Sequence, residues 1–224
     1  MTIHALLHNL ISLLYPSRCA VCDTLSQTAL CAKCAAEYTP STAAKHDIAG
    51  LDSCFSLLPY TGKVRGAVLN LKFHARLDIA ASLGRAAAVL APFLADDIDV
   101  VTYIPLSKKR SRERGYNQAE IFAKAFARSK GIPCRALLIR TRNTAANSGL
   151  SAAARKENVS GAFALKSGVA IKGKRILLCD DVLTTGSTVQ SAAAVLRNGG
   201  AATVSVLCAA KTKHISDDSP DDKN

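Results

Sequence analysis

Residues 175–189, which read RILLCDDVLTTGSTV, constrain this chain more than any other stretch. The apolar run 176–179 reads as a buried strand. Asp180 and Asp181 follow at its carboxyl end, where open α/β sheets place their ligands. Two adjacent carboxylates repel each other, and a sugar diol or a bound Mg²⁺ would compensate them. Thr184-Thr185-Gly186-Ser187-Thr188 then turns into a helix. Gly186 lets the backbone close around an anion. The N–H groups at the helix start point at that anion, and the hydroxyls of Thr184, Thr185, Ser187 and Thr188 add donors. No Lys follows Gly186, so the stretch is not the GxxxxGK[ST] nucleotide loop. Each part alone suits an ordinary capped helix with solvated acids before it. The joint pattern is much more specific than its parts and points to a phosphate cradle.

The rest of the chain supplies a frame for that cradle. Val189, Ala192, Ala193 and Leu196 form one face of a helix over 187–197, Asn198-Gly199-Gly200 ends it, and 203–208 returns as a strand. Strand, helix and strand at this spacing make a βαβ unit with parallel strands. Upstream, the pattern predicts strands over 55–59, 99–105 and 137–139, and helices over 64–73 and 79–94. Asn117 is placed to cap a further helix, with Glu120 reaching back as in a capping box and Gly131 as the stop. Apolar residues make up 49% of the chain but aromatics only 5%, so the core must be aliphatic, which suits a sheet covered by helices. The polar stretch 141–160 reads as a long excursion of the kind that forms functional lids.

Four cysteines fall close together near the start: Cys19, Cys22, Cys31 and Cys34. Their CxxC-x8-CxxC spacing can supply four thiolates to one tetrahedral, structural Zn²⁺. An iron–sulfur cluster and two redox CxxC pairs are the alternatives. No cleavable signal peptide is evident in residues 1–15, and no run reaches the ~18 apolar residues of a membrane span. A reducing cytoplasm is the expected location, where such pairs point to metal or redox chemistry rather than disulfides. Residues 3–14 carry an apolar stripe at helical spacing without basic residues on the other face, as in a packing helix rather than a membrane-surface one. The expected division is a small module over 1–50, including a linker at 39–52, a main body over 51–213, and a disordered acidic tail over 214–224.

Charge is unevenly spread. Residues 1–100 hold eight basic and eight acidic side chains, whereas residues 101–213 hold twenty against five. Such a half favours anionic partners, from phosphorylated small molecules to nucleic acid, although a generic basic surface has the same composition. Within it, Lys108, Lys109, Arg110, Arg112 and Arg114 place five cations in seven residues. That run suits a solvated loop, a pyrophosphate grip or a nucleic-acid contact. Only Tyr116 follows closely, so a base-stacking platform has little support. The five histidines, His4, His8, His46, His74 and His214, show no ligand set and read as structural or exposed.

Taken together, these segments resemble the ComF family of bacterial competence-associated proteins. Residues 175–189 resemble the phosphoribosyl pyrophosphate signature of type I phosphoribosyltransferases. The resemblance runs through the four cysteines, Tyr60-Thr61-Gly62 with Arg65, and Leu71-Lys72-Phe73. It continues through Ile104-Pro105, Arg114-Gly115-Tyr116-Asn117-Gln118, and Arg155 with Asn158 before Gly161-Ala162-Phe163. It implies a mostly parallel α/β sheet flanked by helices with a small N-terminal zinc module. Asp180 and Asp181 would then be the catalytic acids that hold the ribose hydroxyls, and Thr184, Thr185, Gly186, Ser187 and Thr188 would hold the 5′-phosphate. Residues 104–108 would form the loop near the pyrophosphate, and 141–163 the flexible lid. Family members tend to carry Gln after the Thr of this lid, where Asn147 stands here.

Two functions stay open. The first is a phosphoribosyltransferase that displaces pyrophosphate, as phosphoribosyl pyrophosphate with Mg²⁺, at the ribose anomeric carbon. The second is a non-catalytic module of DNA uptake, using the basic half and zinc knot to contact single-stranded DNA, a helicase or another competence protein.

Overall fold

A computed structural model of the chain describes residues 18–94, 97–142 and 161–212. The expected helix over 3–14, the segment 143–160 of the expected lid with Asn147, Arg155 and Asn158, and the acidic tail lie outside the described residues.

A five-stranded sheet forms the centre, in the order β1-β2-β7-β6-β3. Its strands are β1 (Ala44–Lys45), β2 (Ser53–Pro59), β3 (Val100–Tyr103), β6 (Arg175–Leu183) and β7 (Thr203–Lys211). All neighbours pair parallel except β1, which runs antiparallel to β2 at the edge. A separate antiparallel pair joins β4 (Leu138–Arg140) to β5 (Phe163–Leu165). The helices are α1 (Ala32–Glu37), α2 (Gly62–Phe73), α3 (Leu77–Leu90), α4 (Lys108–Arg114), α5 (Gln118–Lys130) and α6 (Ser187–Asn198).

Alternation along the central strands explains their unbroken apolar runs, because successive side chains enter opposite cores. Leu177 and Cys179 of β6, with Leu207 of β7, face one core shared with α2, α3 and α5. Ile176 and Leu178, with Val204, Val206 and Cys208, face the other, against Val189, Ala192, Ala193 and Leu196 of α6. That helical face and the parallel βαβ unit are as the sequence predicts. On the first side α3 crosses α5 at Gly84. A Cβ there would meet the Phe122 carbonyl and lie 2.7 Å from the Ala125 Cβ, so glycine is required by the close approach.

Several expected boundaries move. Helix α3 stops at Leu90 rather than 94, because Pro92 disfavours helical backbone at Ala91, and a separate 3₁₀ turn takes Pro92–Leu94. Asn117 does cap α5, accepting from Ala119 N at 3.0 Å. Glu120, however, pairs forward with Lys124 at 2.6 Å instead of completing a capping box. The basic run 108–114 is helical, started by Ser107, which accepts from Arg110 N, and stopped by left-handed Gly115. The stretch 39–52 does more than link. It supplies β1, and residues 48–52 lie along α6. Gln190 Nε2 donates to the Ala49 carbonyl, and Arg197 reaches the Gly50 carbonyl and Asp52. Nor does the cysteine segment stand apart, since Cys19, Ala20, Val21, Cys34 and Tyr38 share the core of α2 and α3.

Candidate functional site

Strand β6 runs four residues beyond the expected Cys179, through Leu183, because β7 continues beside it and pairs Asp180 with Cys208 and Val182 with Ala210. The acids therefore sit inside the strand rather than after it. On the other side β3 ends at Tyr103, opposite Cys179, so Asp180 and Asp181 begin where one neighbour leaves. That step opens the sheet at its carboxyl end, as the topology of ligand sites in such folds requires.

The two acids live in different fields. Asp180 Oδ1 accepts the Asp181 backbone N–H at 2.8 Å. Burial, and next the charge of Asp181, push its carboxyl well above the ordinary carboxylate range. Asp181 is also buried enough to be raised. Lys72 Nζ at 3.0 Å from its Oδ2, the Gln118 amide donating to the same oxygen at 3.0 Å, and the Val182 N–H on Oδ1 at 2.7 Å outweigh that and hold it low. Lys72 ends α2 and Gln118 begins α5, so three elements converge on one carboxylate.

Beyond the acids, the chain turns through Thr184 and Thr185 to Gly186, whose φ of 82° is left-handed and favours glycine. Thr185 and Ser187 hydroxyls lie 2.8 Å apart, and α6 begins at Ser187. Thr184, Thr185, Gly186, Ser187 and Thr188 thus share one tight turn at a helix N-terminus, three residues after the acids. Ile48 lies against this turn: a Cβ on Gly186 would be 2.7 Å from its Cδ1.

The five cations are divided. Lys108, Lys109 and Arg112 are exposed on α4, and Arg110 and Arg114 are half-buried. Arg110 lies near Arg140 of β4. Burial, and next the charge of Arg110, lower Arg140, while Asp180 works the other way. Arg140 also stacks 5.3 Å over the Phe163 ring. Sequence reasoning missed Lys72, Gln118, Arg140 and Ile48. Lys72 and Gln118 stood within the motifs LKF and RGYNQ, which gave a signal without a role. Nothing in the local sequence marks Arg140 or Ile48.

At the other end, the sulfur atoms of Cys19, Cys22, Cys31 and Cys34 all lie within 4.8 Å of one another. Zn–S bonds of ~2.3 Å in a tetrahedron put sulfurs ~3.8 Å apart, so the set fits one Zn²⁺. Cys22 is held down to about 6 by hydrogen bonding to the Thr24 side chain and backbone. Burial, followed by the three neighbouring thiols, raises Cys34. A dication would relieve that crowding by keeping all four as thiolates. The module is tied to the main body by Arg76, which reaches Asp23 at 2.5 Å and Asp78 at 2.8 Å.

Comparison with known proteins matches both parts of the chain at the level of domains. A Phosphoribosyl transferase domain model matches residues 78–224, and a Double zinc ribbon domain model matches residues 10–46. The DNA utilization protein YhgH of Escherichia coli O6:H1 is 32% identical over 214 residues, covering 87% of this chain and 90% of its own. The Competence protein F of Haemophilus influenzae is 34% identical over 110 residues, 48% of each chain. The chain belongs to the ComF family. Another relative, the Competence protein ComFC of Bacillus subtilis, is 38% identical over 109 residues, covering 47% of this chain and 42% of its own. In this ComF-family protein the type I phosphoribosyltransferase sheet carries an N-terminal zinc ribbon with four cysteines, a set that supports a structural Zn²⁺. No helix among the described residues is long and apolar enough to cross a membrane.

Proposed function

We propose that the turn 184–188 and the acid pair bind a ribose 5-phosphate group, as in phosphoribosyl pyrophosphate accompanied by Mg²⁺. The observation that carries this is the joint placement of Gly186, four hydroxyl side chains and a helix N-terminus immediately after two half-buried acids. The turn suits the phosphate, through backbone N–H groups and hydroxyls. The acids suit the ribose diol, because a carboxylate accepts from hydroxyls and gains from them what burial costs it. Lys108, Lys109, Arg110, Arg112 and Arg114 lie on the element after loop 104–107 and suit the pyrophosphate.

The chemistry such a site supports is displacement at the anomeric carbon. An acceptor forms its bond as the bond to pyrophosphate breaks. The basic side chains would take up charge on the leaving group, a bound Mg²⁺ would supply Lewis acidity there, and the acids would stabilise the cationic sugar. Calorimetric titration of the zinc-loaded protein with Mg²⁺ and phosphoribosyl pyrophosphate tests the reading, beside the double variant Asp180→Asn/Asp181→Asn. Saturable binding lost in the variant supports it, and absence of binding in the wild-type protein refutes it.

A second reading rests on the exposed face of α4 and on relatives that carry DNA utilization and competence names. Lys108, Lys109 and Arg112 would contact the backbone of single-stranded DNA, in a cytoplasmic role in DNA uptake or use that also involves a helicase or other protein partner. If they do, neutralising all three flattens the salt dependence of DNA binding, by a slope of about 0.7 per lost phosphate contact. An unchanged slope removes this reading without touching the first.

A further inference from the structure

Lys72 has no part in the reading above, yet its surroundings are unusual. Its side chain retains only 22% exposure, and its ammonium lies 3.0 Å from Asp181 Oδ2, on a carboxylate side chain with 13% exposure. Burial works against its charge, but Asp181, and more weakly Asp180, hold it above the ordinary lysine range. Gln118 is buried to 5% exposure and donates its amide N–H to the same oxygen. It does so while its own Oε1 stays buried without a partner among the described residues, an arrangement that costs free energy. The position of Lys72 is itself fixed, since the Tyr116 hydroxyl donates to the carbonyl of Leu71, the residue before it.

Counting acceptors divides the acids. Both oxygens of Asp181 are taken from within the protein: Oδ1 by Val182 N, Oδ2 by Lys72 and Gln118. Asp180 takes the Asp181 N–H on its Oδ1 and otherwise meets the neighbouring Asp181 carboxyl, and neither Lys72 nor Gln118 bonds to it. A carboxyl group keeps several acceptor sites in either protonation state, so the acid with spare capacity is the one placed to meet hydroxyl groups.

We propose that Lys72 is a positioning residue of the phosphosugar site: with Gln118 it holds the Asp181 carboxylate in place and leaves Asp180 as the acid with the greater free capacity for the ligand. This rests on the phosphoribosyl reading and makes its two acids unequal. Asp181 then serves as a brace joining β6 to α2 and α5. Lys72 acts through it, offsetting the negative charge of Asp181 beside Asp180.

The test is a set of variants of the full, zinc-loaded chain: Lys72→Met, Lys72→Arg, Asp181→Asn, Lys72→Met/Asp181→Asn and Asp180→Asn. Each is titrated with Mg²⁺ and phosphoribosyl pyrophosphate and unfolded in urea. Lys72→Met should weaken binding about tenfold or more, the scale expected when a part-buried charge loses its partner. Lys72→Arg, which keeps the charge, should recover most of that loss. In the Asp181→Asn background, Lys72→Met should change affinity less than about twofold, because a residue that acts through another has no effect once that other is gone. Asp180→Asn should abolish measurable binding without lowering the urea midpoint. Equal losses from Lys72→Met in both backgrounds would mean that Lys72 touches the ligand and would overturn the proposal, as would wild-type affinity in Asp180→Asn. If the wild-type chain binds no phosphoribosyl pyrophosphate, the phosphosugar reading fails, and the urea midpoints alone judge the brace: non-additive losses at Lys72 and Asp181 sustain it, additive ones reject it.

Discussion

Replacing Gly186 by Ala separates backbone strain from crowding in the turn. The residue has φ 82°, and left-handed backbone costs an L-residue about 1–2 kcal/mol. The new Cβ would also stand 2.7 Å from Ile48 Cδ1. Normal carbon contacts are ~3.5–4.0 Å, so Ile48 must withdraw by roughly an ångström. It is the far end of a flexible side chain, which places this second cost at about 1 kcal/mol, the low end of overpacking. The sum is about 2–3 kcal/mol, and at ~2–4 °C per kcal/mol for a chain of this size Tm should fall by roughly 4–12 °C. Urea unfolding of Gly186→Ala in the wild-type and Ile48→Ala backgrounds apportions the two costs. With Ile48 trimmed, the crowding cost should vanish and about 1–2 kcal/mol should remain. An equal cost in both backgrounds would refute the contact between residues 48 and 186, and a total under ~0.5 kcal/mol would refute the strained turn itself.

Chelating the Zn²⁺ should remove more than a local fold, because Cys19, Val21, Cys34 and Tyr38 belong to the core of α2 and α3. Differential scanning fluorimetry should show a lower Tm for the whole chain, and an unchanged main transition would count against the shared core. Gly84→Ala should destabilise despite the better helix propensity of Ala, since overpacking at the α3–α5 crossing costs about 1–3 kcal/mol against a gain of about 1; a stabilised variant in urea would contradict the crossing described. Asp180 should impose a pH dependence. Its carboxyl is raised in the fold by burial and then by Asp181, so the protonated form is favoured by folding. The associated stability is present below its unfolded value and is lost as pH rises through the higher folded value. Asp180→Asn should abolish that loss, which falls between the ordinary carboxylate range and about pH 8, in pH-resolved urea unfolding, and a wild-type-like loss in the variant would show that another group causes it.

What could be read beforehand was whatever depends on one segment. The β6–α6–β7 unit is local, with its apolar strands, glycine turn and periodic helix face in sequence order, and its pairing follows from the handedness and packing of such units. The four-cysteine set is similarly local. Strand ends were not legible, because Leu183 stays in the sheet only through β7, which continues to Lys211 beside it. Nor was the difference between Asp180 and Asp181, which are chemically identical in sequence. It is made by Lys72 and Gln118, both distant from Asp181 in sequence and brought in by α2 and α5. The same holds for Ile48, whose stretch is polar and reads as a linker until residues 48–52 are seen lying along α6.

These distant residues share an origin. Lys72 sits on α2, whose core face is packed against the cysteine module and whose far end is followed by Arg76, bonded to Asp23 in that module. Ile48 belongs to the chain that leads from the module to β2 and crosses the start of α6 on the way. The zinc ribbon therefore meets the candidate site by two routes, one ending on Asp181 and the other on Gly186. Neither passes through the bulk of the sheet. A module that only solubilised the chain or tethered a partner would need neither connection. Its apolar residues are instead packed with those of α2 and α3. A metal that holds the ribbon together would on this arrangement also hold α2, and with it Lys72, against Asp181, so chelation should weaken any affinity for a phosphosugar, and an affinity unchanged in the apo chain would refute the link.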